Sequence, residues 1–291
     1  MEPCKFAVIG GDMRQVKLAS LLAADGHRVT VFAMEQVRPD GAVPTPTLNA
    51  AVANAACVVL PLPLSRECRN VTTPLSDTVL TIGETFSALS PAQIICGGRV
   101  DGDTTTLAAD HGLTLLDYYA REELVIANAV ATAEGAIQVA MEATPTILTG
   151  TNALILGFGR IGKVLAHRLR ALGVHVTVSA RKYADLAWIA AYGYQGIRTD
   201  DLAEHLPGQQ IIFNTIPHLI LDAERLTRLD PDTTLIDLSS KPGGIDFSAA
   251  SALGLKPIWA LGLPGEVAPV SAAAIIRDTI YNILSEQGNT L

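Results

Sequence analysis

Residues 151–182 read TNALILGFGRIGKVLAHRLRALGVHVTVSARK, a pattern of strand, glycine-rich turn, helix and strand. An apolar run from Ala153 to Leu156 leads into Gly157-Phe158-Gly159-Arg160-Ile161-Gly162, and an amphipathic helical stretch follows. In such a unit the first glycine makes the tight turn and the second lets the backbone approach a pyrophosphate. The third lets helix and strand pack closely. The helix N-terminus then offers free N–H groups and the positive end of its dipole to an anion. The spacing predicts a dinucleotide site built on Gly157, Phe158, Gly159, Arg160, Ile161 and Gly162.

The tip of the second strand narrows the coenzyme. An Asp or Glu about 20 residues beyond the glycines accepts hydrogen bonds from the ribose hydroxyls of NAD. Here the strand Val174–Val178 runs into Ser179-Ala180-Arg181-Lys182, with no carboxylate. A hydroxyl and two cations suit a 2′-phosphate, because Arg grips oxygens bidentately and Lys adds a point charge. NADP is the expected coenzyme, with Ser179, Arg181 and Lys182 at its phosphate.

At 291 residues the chain is long enough for two domains, each with its own core. Charged residues make up 17% and apolar ones 49%, a balance that excludes a disordered chain. The formal net charge of −8 argues against a general nucleic-acid or anionic-membrane surface. Cys4, Cys57, Cys68 and Cys96 form no C-x-x-C pair, and no metal site is expected. Cys57 and Cys96 lie in apolar strand-like runs and read as reduced core residues. No charged leader with an apolar segment opens the sequence, and no unbroken apolar run reaches about 18 residues. A cytoplasmic protein is expected.

The first half repeats the architecture in degenerate form. Lys5–Ile9 reads as a strand, Gly10-Gly11-Asp12 as a turn, Met13–Ala24 as a helix and Arg28–Phe32 as the next strand. Cys57–Leu60, Gln93–Cys96 and Leu113–Leu116 are further strands, Gly83–Leu89 is helical, and Ala42–Pro46 reads as a surface loop. The first turn lacks the later glycines, and Asp12 would repel a pyrophosphate. Arg121–Ala143 forms a helix of about 30 Å, and a second long helix runs from about Val270 to Ser285. Between them Gln210–Asn214, Thr234–Leu238 and Pro257–Trp259 are strands, with short helices between. The expected fold is α/β: two Rossmann-like, doubly wound parallel-sheet domains with an interdomain cleft, bridged by two long helices. Residues 1–121 plus the C-terminal helix from about 270 to 291 form the substrate or partner domain, and 122–269 the NADP-binding domain.

Several blocks carry a family resemblance. Gly10-Gly11-Asp12 is followed by Arg14-Gln15, and the glycine turn by Ser179-Ala180-Arg181. Later come Asn214-Thr215-Ile216-Pro217, Asp237-Leu238-Ser239-Ser240-Lys241-Pro242-Gly243-Gly244 and Gly262-Leu263-Pro264-Gly265-Glu266-Val267-Ala268-Pro269. Over nearly its whole length the chain resembles the A subunits of bacterial dipicolinate synthases. It departs from that pattern at Glu266, where the family often has lysine, so this position is given no anion-binding role. The resemblance implies NADP-linked oxidation of dihydrodipicolinate or 4-hydroxytetrahydrodipicolinate to pyridine-2,6-dicarboxylate, in the lysine branch of a spore-forming bacterium. It also implies a partner, a flavoprotein-like B subunit, within a homo- or hetero-oligomer, and the mother cell as location.

Open α/β sheets bind ligands at the carboxyl ends of their strands. Thr215, Ile216 and Pro217, with Leu263 and Pro264, are expected on loops at the nicotinamide end. His218 can give or take a proton near neutral pH, and Lys241 can pair with a substrate carboxylate; a lone His in a loop is more often a surface residue, and a plain strand-end position is the commoner reading of Lys241 too. Asp237 is expected to cap a helix or orient Lys241. Two carboxylates call for arginine forks, and Arg14, Arg66 and Arg99 sit on predicted strand-end loops. Asn128, Thr132 and Glu134 open the bridging helix, where Gly135 also suits close packing. Two other readings stay open: another two-domain dehydrogenase (2-hydroxyacid, alanine or methylenetetrahydrofolate type), and a non-catalytic subunit that senses NADP.

Overall fold

A computed structural model describes residues 3–65 and 69–288. The chain divides into two compact units, residues 1–128 with 268–291, and residues 129–267. Among the described residues each contains one six-stranded sheet.

In the first unit β1 (Lys5–Ile9), α1 (Met13–Ala24), β2 (Arg28–Phe32) and β3 (Val43–Pro44) are followed by α2 (Leu48–Val52) and β4 (Cys57–Val59). Then come α3 (Ile82–Ser87), β5 (Ile94–Gly97), α4 (Gly102–Asp110) and β6 (Leu115–Asp117); α5 (Glu122–Ala143) starts in this unit and lies mostly in the second. The strand order is β3-β2-β1-β4-β5-β6, every pairing parallel. Alternation along β1 sends Phe6 and Val8 to one face and Ala7 and Ile9 to the other, all fully or nearly fully buried. Val16 and Leu22 of α1 cover the first face, and Ala51 of α2 with Phe86 of α3 cover the second. Each such buried Leu, Ile or Phe contributes roughly 1.5–3 kcal/mol of transfer free energy.

The second unit repeats the plan. It comprises β7 (Asn152–Leu156), α6 (Arg160–Ala171), β8 (His175–Ala180), α7 (Tyr183–Ala191), β9 (Gln195–Arg198) and β10 (Ile211–Asn214). These lead into α8 (Ala223–Leu226), β11 (Thr234–Asp237), α9 (Phe247–Ala252), β12 (Pro257–Trp259) and α10 (Leu263–Val267). The order β12-β11-β10-β7-β8-β9 is the same topology, again all parallel. Both sheets therefore follow the doubly wound Rossmann order, with the strand order reversing beside the first strand of each unit. The last helix, α11 (Pro269–Glu286), returns to the first unit and packs Ile276, Ile280 and Leu284 into the core that α1 shares.

Three segments differ from the sequence expectation. Val43–Pro44, expected in a loop, is an edge strand paired with Thr30 and Val31 of β2; an edge accommodates Pro because its missing N–H faces away from the ladder. Gln195–Arg198 is the opposite kind of surprise, a strand with hardly an apolar residue, again at a sheet edge. Leu263-Pro264-Gly265, expected as a strand-end loop, belongs to the helical turn α10. That turn lies against α5: a Cβ on Gly135 would meet Leu263 and Val267 at 3.1 Å. Gly135 is thus a packing glycine.

By length and composition alone α5 is apolar enough to cross a membrane. Its Ala133, Ala136 and Ala140 are instead fully buried against the second sheet, and its exposed Glu134 pairs with Arg168 of α6 at 3.1 Å. Cys4, Cys57 and Cys96 are free thiols, and Cys68 lies outside the described residues. A hydrogen bond with Cys96, together with burial, pushes the Cys57 thiol well up.

Candidate coenzyme site

The carboxyl ends of β7, β8, β10 and β11 meet around the glycine turn. Gly157 leaves β7 at φ +100°, a backbone that side chains rarely adopt, and its N–H donates to Ser179 O at 3.1 Å. A Cβ there would strike Thr215 Oγ1 at 2.6 Å. The Thr215 hydroxyl and N–H both reach Leu156 O, at 2.8 and 3.0 Å, which locks the β10 loop onto the turn. Gly162 lies in the first turn of α6, where a Cβ would sit 2.2 Å from Gly157 O. A Cβ on Gly159 would meet nothing within 4 Å. Two glycines are therefore demanded by the fold, while the middle one opens onto free space.

Gly159 is the N-cap of α6 and has no side chain to accept from the helix, and the first turn carries no acidic residue. The start of α6 thus faces that space with a positive dipole end. The first unit makes a contrast at the equivalent place. There Gly11 N donates to Thr72 O at 2.8 Å, and the Asp12 carboxylate caps α1 by accepting from Arg14 N at 3.0 Å. Its helix N-terminus already has an anion.

Phe158 is buried and packs beside Tyr192 of the same unit, ring centroids 6.3 Å apart, with Lys163 Nζ 5.4 Å from its ring centre. Arg160 is exposed at the start of α6, and Ile161 packs partly into the core below. At the tip of β8, Ser179 is fully buried and its hydroxyl has no hydrogen-bond partner. Arg181 and Lys182 follow it, both exposed. The donor-rich turn, open at Gly159 and bordered by two cations, fits the pyrophosphate of a dinucleotide.

Sequence reasoning missed the device that shapes the neighbouring loop. Asp237, at the end of β11, is fully buried. Its Oδ1 accepts from Ser239 N, Ser239 Oγ and Asn214 Nδ2 at 2.9, 2.7 and 2.8 Å. Its Oδ2 accepts from Gly244 N at 2.8 Å. Asp237 therefore caps no helix; it shapes the loop that carries Lys241 by holding Ser239 and Gly244. Asn214 also holds Ile216 from both sides, accepting its N–H at 3.1 Å and donating to its carbonyl at 3.0 Å. Trp259 Nε1 closes the group on Ser239 O at 3.0 Å. The signal was a carboxylate ending a buried strand before Ser-Ser-x-Pro-Gly-Gly, a string of turn formers whose N–H groups need an acceptor.

Pro217 and His218 are exposed beyond this network and Ile216 is half-buried; Lys241 is exposed on the loop that Asp237 folds. Leu263 is buried, and Pro264 is half-buried in α10. In the first unit Arg14 is not an open clamp. Its Nε and Nη2 close on the Asp12 carboxylate, at 3.0 and 2.8 Å, and Nη2 also donates to Leu62 O. Arg99 is exposed, at φ +54°, with its N–H on Asp117 Oδ1 at 3.0 Å. Arg66 lies outside the described residues.

Two family models match the chain. Residues 5–119 match the model of the N-terminal domain of the dipicolinate synthase A subunit. Residues 122–241 match that of the D-isomer specific 2-hydroxyacid dehydrogenase NAD binding domain. The chain is 32% identical over 285 residues to the dipicolinate synthase A subunit of Bacillus subtilis, covering 97% of this chain and 96% of that protein. The crystal structure of the Bacillus subtilis protein superposes with a TM-score of 0.88 at 31% identity, covering 100% of this chain and 99% of that one. The A subunit from Bacillus halodurans gives the same TM-score at 29% identity, covering 97% and 98%. The second unit is a nicotinamide-dinucleotide-binding domain of the dehydrogenase type, and the protein is an oxidoreductase-type subunit. The chain belongs to the family of dipicolinate synthase A subunits.

Proposed function

We propose that this chain is the NADP-binding subunit of a dipicolinate synthase. It oxidises dihydrodipicolinate, or the 4-hydroxytetrahydrodipicolinate that precedes it, to pyridine-2,6-dicarboxylate. The observation that carries the reading is whole-chain likeness to the A subunits of dipicolinate synthases, joined to a coenzyme turn whose second strand ends in Ser179-Ala180-Arg181-Lys182. A bound NADP would supply a hydride acceptor. The α6 N-terminus would hold its pyrophosphate, Arg181 and Lys182 its 2′-phosphate, and the Thr215-Ile216-Pro217 loop its nicotinamide half.

Removing a hydride and a proton from a dihydropyridine yields an aromatic ring, so positioning counts for more than a strong acid or base. If the substrate still carries its 4-hydroxyl, a proton donor is needed to expel it; His218 and Lys241 are the side chains proposed near that end. Arg14 is tied to Asp12, which leaves Arg99 as the exposed fork of the two described candidates for a substrate carboxylate. The proposed partner is a flavoprotein-like B subunit, and the proposed location is the cytoplasm.

The test is direct. The purified chain, alone and with the B subunit, is mixed with NADP and freshly made dihydrodipicolinate, and product absorbance and NADPH formation are followed together. Equal amounts of product and NADPH support the proposal, and product without NADPH in both mixtures overturns it. Turnover by the isolated chain also removes the sensor reading.

A further inference from the structure

A cavity of about 610 Å³ opens in the second unit at the amino ends of β7, β8 and β9, the opposite end of the sheet from the glycine turn. Its volume lies in the range of small-molecule sites, roughly 300–1,000 Å³. The sheet register explains what lines it. Asn152 pairs with His175, and Thr177 with Gln195, so these side chains share one face at the start of three neighbouring strands. His205 and Gln209 come from the segment after β9, and Arg170 from the last turn of α6. No Asp or Glu among the described residues lines the cavity, although the chain carries a formal net charge of −8.

Arg170 is held in place before any ligand arrives. Its Nη1 donates to Tyr192 O, and the guanidinium lies 5.4 Å from the Tyr194 ring centre. Gly193 makes room for it, since a Cβ there would meet Nη1 at 2.9 Å. Two imidazoles add N–H donors, which each keeps in either protonation state. The donors come from several separate elements around a volume far larger than a single tetrahedral anion needs. Gln209 stiffens the wall, its Nε2 donating to His205 O at 3.1 Å.

We propose that the cavity binds a small organic anion that carries more than one carboxylate. The site is separate from the coenzyme turn and independent of the choice between NAD and NADP. Arg170 takes one carboxylate and His175 another.

Citrate and inorganic phosphate are titrated separately into the full chain by calorimetry. NADPH is titrated in parallel as a control. The parent protein is compared with Arg170→Gln and His175→Ala. Saturable citrate binding, tighter than that of phosphate and weakened at least tenfold in both variants with NADPH affinity unchanged, supports the proposal. No saturation with citrate, or citrate binding retained in either variant, overturns it. Phosphate binding as tightly as citrate also overturns it. Should Arg170→Gln fail to fold, the exposed His175→Ala carries the comparison alone.

Discussion

The carboxylate of Asp237 accepts the backbone N–H of Gly244, seven residues further along, at 2.8 Å. One buried acceptor at the end of β11 thus folds the loop that carries Lys241 back onto the strand. The same side chain takes three more donors from Ser239 and Asn214. A Cβ on Gly244 would strike Asn214 Nδ2 at 2.3 Å, so the loop must close on glycine. Asp237→Ala leaves four buried donors short of an acceptor. We expect a loss of roughly 2–4 kcal/mol, since each buried donor left unsatisfied costs about 1–3 kcal/mol and part is recovered by water. Asp237→Asn should fall between, because one acceptor becomes a donor facing donors. Urea unfolding decides it, and a change under about 0.5 kcal/mol in Asp237→Ala would refute the role.

How far the sequence spoke for the structure follows from physical range. Helix α1 was readable to its ends, because Asp12 caps it and an apolar stripe follows at helical spacing. The β7 turn was readable because a buried parallel strand is a continuous apolar run. Edge strands β3 and β9 escaped, being short and half-wet. Helix α4 escaped because Gly102-Asp103-Thr104-Thr105-Thr106 reads as turn, although the Asp101 carboxylate caps it through Thr104 N at 2.8 Å. Asp237 was misread for another reason. Its partner Asn214 is 23 residues away, and only the β10–β11 pairing brings the two together.

The glycine turn yields a prediction that separates fold from binding. Gly159→Ala adds a methyl where nothing lies within 4 Å, so unfolding stability should stay within about 0.5 kcal/mol of the parent. The methyl enters the space assigned to the pyrophosphate, and NADPH affinity should fall by about tenfold or more, roughly 1.4 kcal/mol. Gly162→Ala drives a methyl onto Gly157 O at 2.2 Å and should lower stability and affinity together. Fluorescence titration beside thermal melting tests both. Unchanged affinity in Gly159→Ala would remove the turn from the coenzyme site.

His27 links stability to pH. It is buried between Phe6 and Tyr281, with ring centroids 5.0 and 5.6 Å away, and its Nδ1 accepts the Cys4 N–H at 3.1 Å. Burial pushes its pKa below the ordinary 6.5, against the opposing charge of Asp25. The unfolded chain therefore takes up the proton first as the pH falls. The stabilising contribution is full above about 6.5 and declines through that value towards the lower folded one. His27→Asn keeps an acceptor for Cys4 but does not titrate, so it should lose less stability than the parent between pH 7.5 and 5.5. Equal losses in urea midpoints would contradict the assignment.

Arg181 is the side chain proposed to set which coenzyme the turn prefers. It leaves the tip of β8 exposed, two residues past the buried Ser179, and Ala180 between them brings no carboxylate to a ribose hydroxyl. A guanidinium there gains from a 2′-phosphate and gains little from a 2′-hydroxyl, because the charge-assisted bonds need an anion. Arg181→Ala should raise the Michaelis constant for NADP by about tenfold or more, the value of one such contact, roughly 1.5–3 kcal/mol, and leave that for NAD within about twofold. Lys182→Ala should act in the same direction more weakly, since an ammonium is a point charge without the fork. Steady-state kinetics with both coenzymes measure the split. A parallel rise for NAD and NADP would mean that Arg181 holds the shared pyrophosphate or the loop itself, and would remove its assignment to a 2′-phosphate.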